Sequence, residues 1–167
     1  MNALDWDHNA YYHRLLLRHL PRPCDQVLDV GCGTGAFARY DAIVSISALH
    51  HAPLEEVLPR LAGALRPGGV LAAVALPRHD LPHELPVELT AAIGHRLLGT
   101  AFATLRSRGR RPWYAMEPAH LIMPVVLDPS LATRQVRQQA SVLLPGAHVR
   151  RLVFWRYLLL WQKPIGP

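Results

Sequence analysis

Apolar residues in this chain follow two different spacings, and each spacing predicts a different kind of element. Short apolar runs predict strands buried in a parallel sheet, and they occur at 27–30, 42–46 and 70–75. Apolar residues three or four positions apart predict helices with one apolar face, and they recur over 8–20, 54–65 and 87–105. Because strands and helices alternate along the chain, the pattern predicts a single α/β domain.

The last third of the chain predicts one more helix and then a β-hairpin. Thr133 can cap a helix that carries Val136 and Ala140 and is closed by Pro145-Gly146. The segments 148–154 and 156–162 are rich in valine, leucine and aromatic residues, and a tight joint at Trp155 separates them. This arrangement predicts two antiparallel strands.

Proline modifies the prediction for the helix at 54–65. Pro59 falls inside the helical pattern, and proline within a helix removes a hydrogen bond and clashes with the preceding turn. We therefore expect a short turn first and a helix from Pro59 onward. The sequence Arg66-Pro67-Gly68-Gly69 is expected to end that helix before the strand at 70–75.

The strand predicted at Val27–Val30 is followed at once by a run of alternate glycines, namely Gly31, Gly33 and Gly35. Glycine at this spacing allows a tight strand-to-helix turn, and without a Cβ a ligand can lie against the backbone. Ala36 then opens a helix whose free N–H groups point into the same space. Asp29 is a carboxylate at the end of the strand, where it can meet a cationic group.

Two classes of ligand fit such a turn. Gly31, Gly33 and Ala36 also satisfy the dinucleotide pattern G-x-G-x-x-G/A. That pattern requires an acid about 20 residues further on for a ribose, but the first acid after His51 is Glu55. A nicotinamide-dependent oxidoreductase is therefore the weaker reading.

The stretch from Leu28 to Gly35, LDVGCGTG, resembles motif I of the class I S-adenosylmethionine-dependent methyltransferases. The resemblance implies an α/β fold with a Rossmann-like, mostly parallel sheet, an antiparallel C-terminal hairpin strand, helices on both faces and a helical lid. It also implies S-adenosylmethionine as the cofactor. The residues that it places around the methionine part of the cofactor are Asp29, Gly31, Cys32, Gly33 and Gly35.

A second segment, DAIVSISALHH at 41–51, ends in a sequence that resembles motif IV of the same family. The resemblance implies that Ser45, Ile46 and Ser47 line the cofactor and that His50 and His51 form the floor of the acceptor cleft. On the first helix, Tyr12 and His13 are further candidates for contact with the acceptor. By position in the family, residues 77–127 are expected to form a substrate lid.

The sequence departs from the family between these two motifs. If 27–30 and 42–46 are parallel neighbours, the chain must return along a strand, which is roughly 13–17 Å long. Only five residues separate Gly35 from Asp41, and as helix they advance only about 7–8 Å. The two further strand–helix units that the family has here, with the acid that binds the ribose, are missing. Either residues near 38–40 are missing from this sequence, which we favour because both flanks are intact, or a true deletion has occurred.

Charge and composition narrow the choice of partner. The net charge is +6 over 167 residues, and a loop at 106–111 carries four of the arginines. No zinc-finger spacing or RNA-binding aromatic signature accompanies that loop, so a solvated basic loop is favoured over a nucleic-acid contact. Two cysteines, Cys24 and Cys32, make no disulfide framework. His50 and His51 have no partner at metal-ligand spacing, and we expect no metal.

The resulting hypothesis is an enzyme that transfers a methyl group from S-adenosylmethionine to a small-molecule acceptor. A signal peptide and a membrane-spanning run are not predicted, so we expect a cytoplasmic protein without membrane contact. No catalytic residue is assigned, because no histidine has a sequence neighbour that identifies it as a base; the candidates are His13, His50, His51, His79, His83 and His120. The alternatives are a non-catalytic scaffold protein that has lost cofactor affinity, and methylation of RNA through the arginine loop.

Overall fold

The computed structural model describes residues 6–30, 40–81, 83–109 and 129–166. Their elements alternate between helix and strand over most of the chain. In chain order they are α1 His8–Leu17, β1 Val27–Val30, β2 Tyr40–Ile46, a 3-10 turn at Leu49–His51, α2 Leu54–Ala64, β3 Leu65–Ala75, α3 Leu85–Ser107, α4 Thr133–Leu143, β4 His148–Leu152 and β5 Arg156–Gln162.

The described strands form one five-stranded sheet in the order β1-β2-β3-β5-β4. The first three strands are parallel, whereas β5 is antiparallel to both β3 and β4. The register runs from Val27 opposite Ala42 to Val30 opposite Ser45, so β1 and β2 end side by side. The predicted Rossmann-like α/β sheet with an antiparallel hairpin at its end is confirmed.

Helices cover both faces of the sheet. Alternate residues of β3 point to opposite faces, with Ala72 and Val74 on one side and Leu71 and Ala73 on the other. The first face packs against α1 and α3 through a core that includes Leu16. The second face packs against α2 and α4. Helices on both faces, as predicted, are thus confirmed.

The strand predicted to be buried at Val27–Val30 is half exposed instead. It has the predicted bounds, but its side chains alternate between exposed and half-buried, and Val27 is 44% exposed. The reason lies in the topology, because β1 is the outer strand of the described sheet and pairs only with β2 there. An apolar run shows that a strand is compatible with burial. Whether the strand is buried depends on which strands and helices lie beside it in the sheet.

The helix around Pro59 begins earlier than predicted. α2 starts at Leu54 and runs through Pro59 to Ala64. Leu54 and Leu58 are almost fully buried in the core, and burial of two leucines, worth roughly 1.5–3 kcal/mol each, offsets the cost of about 3 kcal/mol for proline inside a helix.

The sequence Arg66-Pro67-Gly68-Gly69 does not end the helix as a loop, because it lies within β3. A register shift between β2 and β3, at Tyr40 and Ala42, accommodates it. Gly68 adopts a φ of +79° there, a backbone conformation that glycine reaches without a Cβ penalty.

Two other helices differ from the sequence prediction in detail. The residue that caps α4 is Ala132 rather than Thr133, and the Ala132 N–H is held by the Gln135 side chain at 3.0 Å. In α3, the apolar residues Leu89, Ile93 and Leu97 that predicted the helix are exposed. The helix buries Ala91, Gly99 and Phe102 instead. Among the described residues, no helix is long and apolar enough to cross a membrane.

Candidate functional site

The parallel strands β1 and β2 bring Asp29, Ser45, Ile46 and Ser47, the described members of the predicted cofactor site, to one edge of the sheet. β1 ends at Val30, directly before the glycine run, and β2 ends at Ile46. Ligands of open α/β sheets bind in the crevice outside the carboxyl ends of such strands. Asp29 lies in this part of β1, opposite Val44 of β2, and its side chain is exposed.

The three predicted residues at the end of β2 differ in their surroundings. Ser45 is fully buried, and its hydroxyl has no hydrogen-bond partner among the described residues. Ile46 is half-buried against the core that contains α1 and α3. Ser47, the first residue after the strand, has a side chain that hydrogen-bonds to another element among the described residues, namely to Asn9 of α1.

Ser47 has a constrained backbone and a defined side-chain contact. Its φ is 54°, a left-handed conformation that costs a residue with a Cβ roughly 1–2 kcal/mol. Two bonds hold it there, since its N–H donates to the Val74 carbonyl at 2.8 Å and its hydroxyl donates to Asn9 Oδ1 at 2.8 Å. Strained residues of this kind occur preferentially at functional sites.

Arg156, the first residue of β5, contacts the same oxygen. Its Nη2 donates to Asn9 Oδ1 at 3.2 Å and its Nη1 donates to the Trp155 carbonyl at 3.2 Å, while the buried Nε has no partner among the described residues. Burial lowers the pKa of Arg156 to about 10, although electrostatic interactions with Tyr12 and Asp7 act in the opposite direction. The guanidinium therefore stays charged at neutral pH. We call Asn9, Ser47 and Arg156 the Asn9 cluster.

The start of α1 positions Asn9 in this cluster. Asp7 is the N-cap of α1, and its carboxylate accepts hydrogen bonds from the N–H groups of Asn9 at 2.8 Å and of Ala10 at 3.1 Å. Asp7 is only 4% exposed. The sequence reasoning did not identify the Asn9 cluster, because Arg156 and Asn9 are far apart in the chain and no motif includes either residue.

The hairpin that carries Arg156 is held in a conformation unusual for large side chains. Phe154 and Trp155 have φ values of 57° and 56°. Phe154 is buried against Trp6, with ring centroids 5.0 Å apart. Trp155 Nε1 donates to the Glu88 carboxylate at 2.7 Å. Packing of these two rings against α1 and α3 stabilises the turn and fixes the start of β5.

The predicted acceptor residues occupy two separate places. Tyr12 is buried on α1, where its hydroxyl donates to the Val153 carbonyl, and burial raises its pKa. His13, the next residue, is exposed. His50 and His51 lie in the 3-10 turn after β2 with ring centroids 4.1 Å apart. His50 borders a space of only about 10 Å³ beside α4, which is too small for a ligand.

The remaining histidine candidates in the described residues are exposed, and each lies beside a mostly shielded carboxylate. His79 lies 3.4 Å from Glu88, and His83 lies 3.3 Å from Asp80. His120 and the glycine-run residues Gly31, Cys32, Gly33 and Gly35 lie outside the described residues. Within the described part of the chain, no group of three or more metal-ligating side chains could hold a metal ion.

No family model matches the chain. Proteins named uncharacterized methyltransferases from Mycobacterium bovis and Mycobacterium tuberculosis are 26% identical to it, and the match covers 96% of this chain and 98% of theirs. A solved structure of a possible exported protein from Bordetella parapertussis covers 93% of this chain and 67% of its own, with 18% identity and a TM-score of 0.53. At this low sequence identity, the similarity to the Bordetella parapertussis structure shows a shared fold and nothing about function.

The sequence match is longer than this chain. It runs over 208 residues, whereas this chain has 167. The alignment therefore contains positions that have no counterpart in this chain.

Proposed function

We propose that this protein transfers a methyl group from S-adenosylmethionine to a small-molecule acceptor. The observation that carries the proposal is the position of β1, which ends in the motif residues Leu28-Asp29-Val30 and lies beside β2 at the carboxyl edge of the parallel strands. That edge is where open α/β sheets bind their ligands. The end-to-end similarity to proteins named methyltransferases supports the same chemistry.

The described residues fit the amino-acid end of this cofactor. Asp29 presents an exposed carboxylate at the sheet edge, which suits the ammonium group of a methionine moiety. Bound S-adenosylmethionine supplies an activated methyl group on a sulfonium. The part of the chain that follows β1, from Gly31 to Gly35, is expected to let the cofactor approach the backbone.

The Asn9 cluster supplies rigidity at the end of β2. Asn9 Oδ1 accepts from both Ser47 and Arg156, so α1, β2 and β5 are tied together at the sheet edge. Methyl transfer depends mainly on holding the acceptor in line with the reacting bond. We propose that the cluster fixes the Ser47 backbone for this purpose, with Tyr12, His13, His50 and His51 as candidates for contact with the acceptor.

The residues that would hold the adenosine end have no counterpart in the described sheet, since β1 is its outer strand. We propose that the unmatched positions of the longer relatives include such residues, inserted near 38–40. The protein is further proposed to act in the cytoplasm on a small molecule rather than on nucleic acid.

Titration calorimetry with S-adenosylhomocysteine, the demethylated product, tests the proposal. We expect saturable binding by a chain of verified intact mass. Asp29→Asn is expected to weaken it about tenfold or more, because it removes one charge-assisted hydrogen bond worth about 1.5–3 kcal/mol. Asp25→Asn, at an exposed residue outside β1, is the matched control and should bind like the parent.

Each of three other results would indicate a different function for this protein. Absence of binding by the full chain contradicts the proposal and favours a non-catalytic scaffold. Binding of NAD in place of the methyl donor product indicates an oxidoreductase. Strongly salt-dependent binding of RNA indicates nucleic acid as the acceptor.

A further inference from the structure

A line of large apolar side chains runs along the outer side of α3. It consists of Leu85, Leu89, Ile93 and Leu97, which recur at every fourth position and are between 47% and 67% exposed. A helix at the surface of a domain normally buries one apolar face and turns polar residues to solvent. Because α3 already packs against the sheet with its other side, this second apolar surface needs an explanation. We call these four residues the α3 stripe.

The hydroxyl groups beside the α3 stripe already have partners within the helix. Three exposed threonines donate to carbonyl oxygens of the preceding turn at 2.8–2.9 Å, namely Thr90, Thr100 and Thr104. A hydroxyl that keeps its hydrogen bond loses little when the surrounding water is removed, whereas an unbonded one pays the full cost of desolvation. This side of α3 can therefore be covered by another apolar surface at low cost.

The exposed side of α3 also carries very little charge. The structure describes every residue from Leu85 to Ser107, and among the exposed positions of this helix Arg96 is the one charged residue. Charged residues usually dominate the solvent-facing side of a helix. A continuous apolar surface of this kind marks a contact with another molecule.

We infer that the α3 stripe is the contact surface of a reversible homodimer in which two copies of α3 pack antiparallel. With a two-fold axis at Ile93, residues at equal distances on either side of the axis face each other. Leu89 of each copy then faces Leu97 of the other, and the large Leu85 faces the small Ala101. The stripe is thus complementary to itself, as a two-fold interface requires.

Electrostatics favour the same arrangement. Antiparallel helices place the positive end of each helix dipole beside the negative end of the other. Arg96 faces the uncharged Thr90 across the interface, and the two copies of Arg96 lie about 9 Å apart along the helices. The long stem of an arginine can cover apolar surface while its guanidinium reaches water at the rim. No like charges are therefore forced together.

The size of the contact indicates a weak dimer. From Leu85 to Ala101 the helix is about 24 Å long, and with a width of about 10 Å the two faces together amount to roughly 500 Å². Stable complexes bury about 1,200–2,000 Å², and smaller contacts belong to transient ones. We therefore expect a dimer that dissociates on dilution.

A membrane surface suits this helix less well than a second copy does. Helices that lie in a membrane interface carry their basic residues on the side opposite the apolar face. In α3 that opposite side packs into the core through Ala91 and Phe102, and Arg96 lies within the exposed side itself. The inference requires neither a cofactor nor the carboxyl edge of the sheet, so it succeeds or fails separately from methyl transfer.

Sedimentation velocity of the full chain tests the inference. We expect monomer at about 1 µM and mainly dimer at about 200 µM, as for other contacts of this size. Ile93→Glu should weaken the dimer by about tenfold or more, because it places two carboxylates against each other at the axis. Ile93→Lys should do the same with two ammonium groups. An equimolar mixture of the two variants should associate again, since a glutamate in one copy then faces a lysine in the other.

Val142→Glu is the matched control, because Val142 is an apolar residue of α4 that is 76% exposed. It should dimerise within about twofold of the parent, since a charge far from the interface is screened. Circular dichroism checks that each variant keeps its fold. A parent that stays monomeric at the highest concentration, equal losses in Ile93→Glu and Val142→Glu, or a mixture that stays monomeric would overturn the inference.

Two further results would overturn it by identifying another occupant of the α3 stripe. A monomeric parent whose thermal stability falls in Ile93→Glu would show that another part of the same chain covers the stripe. Binding of the parent, but not of Ile93→Glu, to vesicles of anionic phospholipid would show that a membrane does.

Discussion

Asp41 shows how much one side chain can organise at the amino-terminal edge of the sheet. Its Oδ2 accepts from the N–H groups of Gln26 and Asp25, each at 3.0 Å, and its Oδ1 accepts from Arg66 at 2.8 Å. The hydrogen bonds from Gln26 and Asp25, together with the Arg66 guanidinium, lower the pKa of Asp41 below its ordinary value of 3.8. One carboxylate thus joins the approach to β1, the start of β2 and the start of β3.

This arrangement predicts a pH-dependent contribution to stability. A carboxylate whose pKa is depressed in the folded state stabilises the fold above its unfolded pKa, and the effect is lost as the pH falls through the folded pKa. Asp41→Asn should therefore be less stable than the parent at pH 7, and the difference should shrink below about pH 4. Urea unfolding at several pH values measures it, with the exposed Asp25→Asn as the control. A difference that stays constant down to pH 2.5 would contradict the assignment.

The Asn9 cluster marks the limit of sequence reasoning at this scale. Ser47 was predicted from the resemblance of the segment 41–51 to motif IV, and the structure puts it directly after β2, at the carboxyl edge of the sheet. Its partner Asn9 and the guanidinium of Arg156 were not predicted, because each comes from a different element and hydrogen bonds between distant residues leave no periodic pattern. Whether the predicted residues bind cofactor stays a prediction.

Among the elements, β3 depends most clearly on a single small residue. A Cβ on Gly69 would lie 2.9 Å from the Arg66 carbonyl oxygen, 3.1 Å from the Asp41 carbonyl oxygen and 3.1 Å from Leu65 Cδ2. Two of these atoms belong to the backbone, so they cannot move without disturbing the pairing of β2 with β3. The position therefore requires glycine, because the backbones of β2 and β3 approach each other closely there.

We expect Gly69→Ala to lower the free energy of unfolding by about 1–3 kcal/mol, the usual cost of overpacking. Gly63→Ala is the matched control, because Gly63 lies in α2 and a Cβ there meets nothing within 4 Å. Alanine inside a helix should raise the free energy of unfolding by about 0.5–1 kcal/mol relative to glycine. Urea denaturation of both variants measures the change in the free energy of unfolding, which should be a decrease for Gly69→Ala and an increase for Gly63→Ala. A neutral Gly69→Ala would show that β3 can shift to admit a methyl group.

Over the whole molecule, Arg151 joins the carboxyl-terminal hairpin to α3. From β4 its Nε donates to Glu84 at 2.8 Å, its Nη2 donates to Glu88, and its Nη1 donates to the Arg156 carbonyl at 2.8 Å. The Arg151 side chain is 9% exposed and both carboxylates are 13% exposed. Because all three side chains are mostly shielded from water, each carboxylate needs the guanidinium to compensate its charge, and the guanidinium needs the carboxylates.

Arg151→Met should therefore destabilise the protein by about 3–5 kcal/mol, because it leaves two largely buried carboxylates without their cation. Arg150→Met, at the exposed neighbouring residue of the same strand, should stay within about 0.5 kcal/mol of the parent. Adding Glu84→Gln and Glu88→Gln to Arg151→Met should restore part of the loss by removing the uncompensated charges. Thermal unfolding compares the four proteins, and a small loss in Arg151→Met would show that water replaces the guanidinium.

The sequence by itself determined the alternation of strands and helices, the bounds of β1 and the hairpin at the end of the sheet. It also located the glycine run directly after β1. These features are local, because periodic burial and turn chemistry are properties of neighbouring residues.

Only the tertiary structure decided that β1 is the outer strand of the described sheet and that Pro59 lies within a helix. It also decided which distant groups meet, as Asn9 does with Arg156 and Arg151 with Glu84 and Glu88. The physical reason is that burial of a strand and pairing of a charge depend on which elements pack side by side. That choice is made by the summed packing of the whole core, and no single stretch of sequence contains it.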